Sequence, residues 1–302
     1  MPLLGHQPAT TTDNFAKMIR RQHLLVDKSL MIQTFMETTD DATLITRPRR
    51  FGKTLNMSML HHFFSETVDG EPTNGLFDGL AIAKIDDGAF LKMHQGRYPV
   101  IAITFKDIKE PSFDAAIRKI KGLIKTVYRQ YDDLLISDKL NQQDKLEWQK
   151  YRQGELDNEV LEAGHRFLSE IHRKKVILLI DEYDTPLSSA YEHEYLEPLS
   201  EFMRNLLSAA LKSNPHLEKG LMTGILRVSH SSLLSGLNNL KVYTVFDRTY
   251  DSYFGFTEAE IQELIEHLQI TDDLPDIRTF YNGYRIGDAV VYNPWSFMNY
   301  CS

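Results

Sequence analysis

A single cysteine, Cys301, is all that the chain carries, so no internal disulfide can form and stability has to come from burial. Cysteine poverty fits a reducing compartment, and the cytoplasm is the default expectation. Positive charge is not in excess either. Lys and Arg number 34 against 42 Asp and Glu, a net charge of −8, which removes any global electrostatic pull toward nucleic acid. No apolar run approaches the roughly 20 residues that span a bilayer, so no membrane partner is expected. Met1 to Asn14 lacks the basic-then-apolar order of a signal peptide, and the chain reads as unprocessed. Internal repeats and low-complexity tracts are missing as well, so organisation must be read from the alternation of short apolar runs with longer amphipathic segments.

What is present supports a substantial core: 302 residues with 42% hydrophobic content, enough for one large domain or one domain with a small appendage. Five segments read as strands, at Ala42 to Thr46, Pro99 to Phe105, Val176 to Ile180, Gly220 to Leu226 and Lys241 to Phe246. The middle three are apolar for several residues running, as a parallel strand covered by helices on both faces requires. With helical patterns between them the fold class is α/β. From about 113 to 171 the chain turns long, charged and helical, with Ile117, Ile120, Leu123, Ile124 and Val127 as one apolar stripe, and reads as a helical insertion. Thr257, followed by Glu258 and Glu260, marks a helix start. These signals divide the chain into a core over 1–256 and a small C-terminal lid over 257–302.

Chemistry concentrates at two strand ends. After the first strand comes Thr46-Arg47-Pro48-Arg49-Arg50-Phe51-Gly52-Lys53-Thr54, ahead of a helical run beginning at Leu55. A strand–loop–helix unit of this kind aims the amide groups of the helix start at the loop, where an anion can bind. Gly52 allows close backbone approach, Lys53 reaches terminal phosphates, and the Thr54 hydroxyl ligates Mg²⁺. The standard phosphate loop has glycine five positions before Gly52; here that position is Arg47, so the loop is reshaped. Arg47 is expected to fold its side chain over the phosphates, substituting charge for the missing backbone geometry; the alternative is that it only obstructs a decayed loop. A bare Gly-Lys-Thr can also be a plain turn into a helix with a solvated lysine. The other strand end, Val176 to Ile180, runs into Asp181-Glu182, where open parallel sheets bind ligands. Asp181 can hold Mg²⁺ through water and Glu182 can polarise the attacking water. In the fourth strand, Thr223 is placed to sense a γ-phosphate, and Arg227 just beyond it to neutralise developing charge.

Taken together, Arg47 to Thr54, Leu179-Ile180-Asp181-Glu182-Tyr183-Asp184-Thr185-Pro186, Gly220 to Arg227 and Tyr292-Asn293-Pro294-Trp295 resemble the AAA-ATPase-like family of bacterial proteins. The resemblance runs from about Phe15 to Tyr300. It implies a P-loop NTPase core similar to AAA+ and STAND ATPases, with strand order 5-1-4-3-2, a modified Walker A loop, and ATP with Mg²⁺ as cofactors. The implied nucleotide-binding residues are Arg47, Arg49, Arg50, Phe51, Gly52, Lys53, Thr54, Leu55 and Pro294. Thr54 and Asp181 serve the metal, and Glu182, Arg227 and Thr223 serve hydrolysis. Tyr281-Asn282-Gly283-Tyr284 and Tyr292 to Trp295 look like a lid element that touches adenine. Members are often joined to a nuclease-like segment of the PD-(D/E)XK superfamily, which here would follow Ser302.

Three functions therefore compete. The leading one is an ATP-binding, slowly hydrolysing switch. The second is a nonhydrolysing scaffold or regulatory module for a partner such as a nuclease, with oligomerisation left open. The third uses Arg47, Arg49, Arg50 and Lys53 on a nucleic-acid backbone; the acidic total and the strand–loop–helix context favour nucleotide over it.

Overall fold

Runs of Val, Ile and Leu too short for a helix and too apolar for a surface have one economical use, a strand buried on both faces. The computed structural model describes residues 3–8, 11–225, 237, 239–270, 281 and 283–301, and within it such runs join a less apolar, partly exposed edge strand in one five-stranded parallel sheet. The strands are β1 (Ala42–Thr46), β2 (Val100–Thr104), β3 (Val176–Asp181), β4 (Leu217–Gly224) and β5 (Leu240–Tyr243), ordered β2-β3-β4-β1-β5. The register of β2 on β3 pairs Val100 with Ile177 and Thr104 with Asp181. Val176 to Ile180 are buried completely, and each such side chain contributes about 1.5–3 kcal/mol of burial. This is an α/β fold consistent with a P-loop NTPase.

Helices α1 (Phe15–Arg20), α2 (Leu30–Glu37), α3 (Lys53–Phe64), α4 (Ala89–His94), α5 (Phe113–Arg129), α6 (Gln142–Arg152), α7 (Val160–His172), α8 (Thr185–Glu192), α9 (Leu196–Leu211), α10 (Glu258–Leu268) and α11 (Pro294–Tyr300) are distributed along the described residues. Among these residues no helix is long and apolar enough to cross a membrane. By contacts the chain divides into two units, each built from separated stretches: 1–38, 46–96 and 243–302 in one, 39–45 and 97–242 in the other.

The second of these units holds the sheet and α5 to α9. Ser112 caps α5 by accepting from the Ala115 amide, and Ala116, Ile120, Ile124 and Val127 go inside. Relative to the predicted stripe the helix is turned slightly, so that Ile117 and Leu123 lie at the margin of the core. A histidine of α7, His165, is wholly buried beside the Asn214 amide at 3.2 Å. Burial drives its pKa down to about 3, so it folds neutral, whereas the unfolded chain protonates it near its ordinary value of about 6.5. The unfolded state thus binds more protons between those values. Stability is full above about pH 6.5 and declines as pH falls toward 3. Urea midpoints measured across that window should fall less steeply for His165→Gln than for the parent, and equal slopes would exclude His165 as the cause.

The first unit contains a three-stranded antiparallel sheet of β6 (Phe256–Thr257), β7 (Tyr284–Ile286) and β8 (Ala289–Tyr292), ordered β6-β8-β7. Thr257 and Glu260 form the capping box read from the sequence at the start of α10. Glu260 also meets the buried Lys28 ammonium at 2.6 Å, and that ammonium donates to the Ser252 carbonyl at 2.7 Å. Burial lowers the Lys28 pKa, with Glu260 opposing the shift. The fifth strand ends three residues before the predicted Phe246. The cause is Asp247, whose carboxylate accepts from the Thr244 amide at 2.7 Å and its hydroxyl at 2.9 Å, pulling Thr244 out of the extended line into a turn.

Candidate functional site

The phosphate-type loop lies in the first unit, and its first residue corrects the expectation placed on it. Arg47 does not reach out over the loop: its side chain is fully buried. The guanidinium donates to the carbonyl oxygens of Thr46 (2.9 Å), Tyr243 (3.2 Å), Thr244 (2.8 Å) and Tyr250 (3.1 Å). A planar fork of five N–H donors suits such a cage of carbonyls. Burial lowers its pKa to about 10, with Asp247 and Asp251 pulling the other way, so it stays charged at neutral pH. Arg47 is a tie between the loop and the 243–250 segment.

Lys53 is also seated rather than solvated. It is 6% exposed, and its ammonium donates to the carbonyls of Arg47 (3.0 Å) and Pro48 (2.8 Å), bridging the loop from its far end back to its start. Gly52 takes the left-handed conformation, φ 83°, that lets the chain enter α3, and its carbonyl accepts the first intrahelical bond, from Asn56, at 3.0 Å. Thr54 and Leu55 stand half-buried in the first turn of α3. The Phe51 ring is buried edge-on to Tyr284, with centroids 5.1 Å apart, and beside Gly255, where a Cβ would come within 3.1 Å of it. Its side chain therefore packs inside the unit.

Arg49 and Arg50 are the exposed cations of the loop. Arg50 holds a left-handed φ of 67°, a conformation costing a non-glycine residue roughly 1–2 kcal/mol. Its guanidinium lies 3.7 Å from the centre of the Trp295 ring, a contact worth about 0.5–1 kcal/mol at an exposed site. Pro294 is the first residue of α11. Asn293 caps that helix by accepting from the Ser296 amide at 3.1 Å, and its own amide reaches the Arg49 carbonyl at 3.5 Å. The structure thus brings residues 47–55 together with 293–295 in one unit.

The acidic group belongs to the other unit. Asp181, 3% exposed, accepts a hydrogen bond from the Thr223 hydroxyl, itself completely buried. Thr223 thereby orients Asp181. Glu182 turns off the strand with φ 53° and accepts from the Thr185 hydroxyl at 3.0 Å. Sequence reading assigned no role to the residues that brace this end. The Tyr183 amide donates to the Thr223 carbonyl at 3.0 Å, and the Asp184 carboxylate accepts from the Ile225 amide at 2.8 Å. A Cβ on Gly224 would come within 2.5 Å of the Tyr183 ring, and a glycine inside a strand pattern is the signal that could have disclosed that close approach. Arg227 lies outside the described residues.

Chemically, the first group offers two exposed guanidinium groups, one seated ammonium and a helix start, which is equipment for an anion. The second offers a buried, oriented carboxylate and a second carboxylate held in an uncommon backbone conformation, a combination that clusters at working sites.

A family model described as a predicted AAA-ATPase matches residues 9–234, a span that takes in both groups and stops short of Asn293 to Trp295. A protein of Azotobacter chroococcum mcd 1, described as an uncharacterised protein in the vnfD 5' region, is 30% identical over 255 residues, covering 84% of this chain and 44% of that protein. The chain therefore spans less than half the length of this relative. No solved structure matches.

Proposed function

Because the chain belongs to the AAA-ATPase-like family, described as predicted AAA-ATPases, we propose that it binds ATP through the Arg47–Thr54 loop and hydrolyses it slowly as a conformational switch. One observation carries the reading: the Lys53 ammonium is already held on the carbonyls of Arg47 and Pro48 at the mouth of α3, so a cation and a helix start are preorganised for a phosphate. The sheet order also supports it, with the loop-bearing β1 between β4 and β5, the 5-1-4-3-2 arrangement of an additional-strand P-loop core.

In this reading Lys53, Arg49 and Arg50 bind phosphate oxygens. A charge-assisted bond of this type is worth about 1.5–3 kcal/mol. The Thr54 hydroxyl and the Asp181 carboxylate are each hard oxygen donors of the kind that Mg²⁺ prefers, and an ion held by either would neutralise phosphate charge. Thr223 holds the Asp181 carboxylate in place by donating to one of its oxygens. Glu182 accepts the proton of the attacking water, Thr185 holding the carboxylate meanwhile.

Two measurements test this. Mg-ATP should raise the melting temperature of the purified chain, since a ligand that binds only the folded state stabilises it; no shift would favour the scaffold reading. Glu182→Gln keeps the shape and removes the base, so bound nucleotide should persist while phosphate release falls by roughly 10²-fold or more. Release at the parental rate would leave Glu182 as a strand end only.

A further inference from the structure

We propose that the indole face of Trp295 is a seat for the nucleobase, and that Arg50 covers it until a phosphate draws the guanidinium away. The inference rests on the nucleotide reading of the loop. It concerns residues beyond the stretch matched by the family.

Within α11, Phe297 and Met298 go into the core, whereas Trp295 remains 39% exposed. What lies on it is a planar cation, Arg50, 3.7 Å from the ring centre, a spacing and shape that a stacked purine or pyrimidine would reproduce. Arg50 is two residues before Gly52, so the side chain that covers the ring belongs to the loop that would receive the phosphates. The seat is fixed to that loop from its own side as well, through Asn293, which caps α11 and reaches the Arg49 carbonyl. Tyr284, 48% exposed and edge-on to the loop residue Phe51, supplies a second ring beside the same loop.

The exchange follows from relative strength. A guanidinium binds phosphate through two parallel charge-assisted hydrogen bonds, which outcompete its contact with an exposed ring. Phosphate arrival takes Arg50 off Trp295 and uncovers the indole at the moment a tethered base needs a partner. Stacking tolerates any base, so this seat adds affinity and leaves base identity to hydrogen-bonding groups.

The chain has two tryptophans, and Trp148 is buried in the other unit; subtracting the emission of Trp295→Phe from that of the parent isolates Trp295. Inorganic tripolyphosphate with Mg²⁺ should increase acrylamide quenching of Trp295, because Arg50 leaves, whereas Mg-ATP should decrease it, because the base arrives. Trp295→Ala should raise the Kd for Mg-ATP about ten-fold while tightening tripolyphosphate binding about two- to five-fold, because Arg50 no longer has to leave a ring, and Trp295→Phe should restore most of the ATP loss. If Mg-ATP stabilises the parent but Trp295 responds identically to both ligands, or Trp295→Ala binds ATP with parental affinity, the seat is refuted and the nucleotide reading stands. If neither ligand shifts the melting of the parent, both fall.

Discussion

Replacing Arg47 by glycine, which would restore the residue of the standard phosphate loop, is expected to destabilise the protein by on the order of 3 kcal/mol. Four carbonyl oxygens lose their donor, and the negative charges of Asp247 and Asp251 lose the cation they act on. Nothing is gained in exchange. Arg47 is not among the residues with positive φ, so glycine relieves no strain there and adds its own entropy cost of about 0.5–1 kcal/mol. Nucleotide affinity should fall as well, because the Arg47 and Pro48 carbonyls that seat Lys53 belong to the tied segment. Arg47→Lys, which keeps the charge but not the fork, should fall between. Urea unfolding of the three proteins decides the matter: a glycine variant as stable as the parent, or one that binds Mg-ATP more tightly, would mean that the carbonyl cage is incidental.

Removing the ammonium of Lys53 should abolish stabilisation by Mg-ATP altogether. At a hundred-fold excess over Kd the parent gains about 2.7 kcal/mol, all of which the variant should lose. The burial of Lys53 makes the choice of variant matter. An exposed lysine could be cut to alanine without consequence, but this one is 6% exposed and bonds two carbonyls, so Lys53→Ala also weakens the ligand-free protein. Lys53→Met keeps most of the aliphatic stem and is the cleaner comparison. Each variant is read against itself with and without ligand by calorimetry; a shift of parental size in Lys53→Met would remove the lysine from the phosphate site.

Much of this was legible in the sequence, and the parts that were not have a common cause. Apolar runs announce buried strands because no other structure accommodates them, and Thr257 with Glu260 announces a helix start because both ends of the capping box are written locally. The Asp181 and Glu182 positions followed from the strand that carries them. The fate of the Arg47 side chain could not follow from its neighbours. An arginine in a phosphate-type loop reads as a ligand, and only contacts some 200 positions away turn it inward: its partners are Tyr243, Thr244 and Tyr250. Thr223 is similar. Its place in a strand was plain, but its hydroxyl is taken by Asp181, 42 residues earlier. Arg50 on Trp295 likewise joins residues that no local pattern connects.

The three-stretch assembly of the first unit has a bearing on how the protein is made. The loop around Arg47 obtains its shape from residue 250, and the Lys28 ion pair closes only with residue 260. At about 5–20 residues per second, a ribosome that has finished Arg47 delivers Tyr250 roughly 10–40 s later. During that wait the nascent chain holds a positively charged loop and the unpartnered apolar faces of its early helices, with the closure of long-range contacts still ahead. Chaperone capture should accordingly fall on ribosome-bound chains stalled before residue 243 and be relieved once an added linker lets residue 302 clear the exit tunnel.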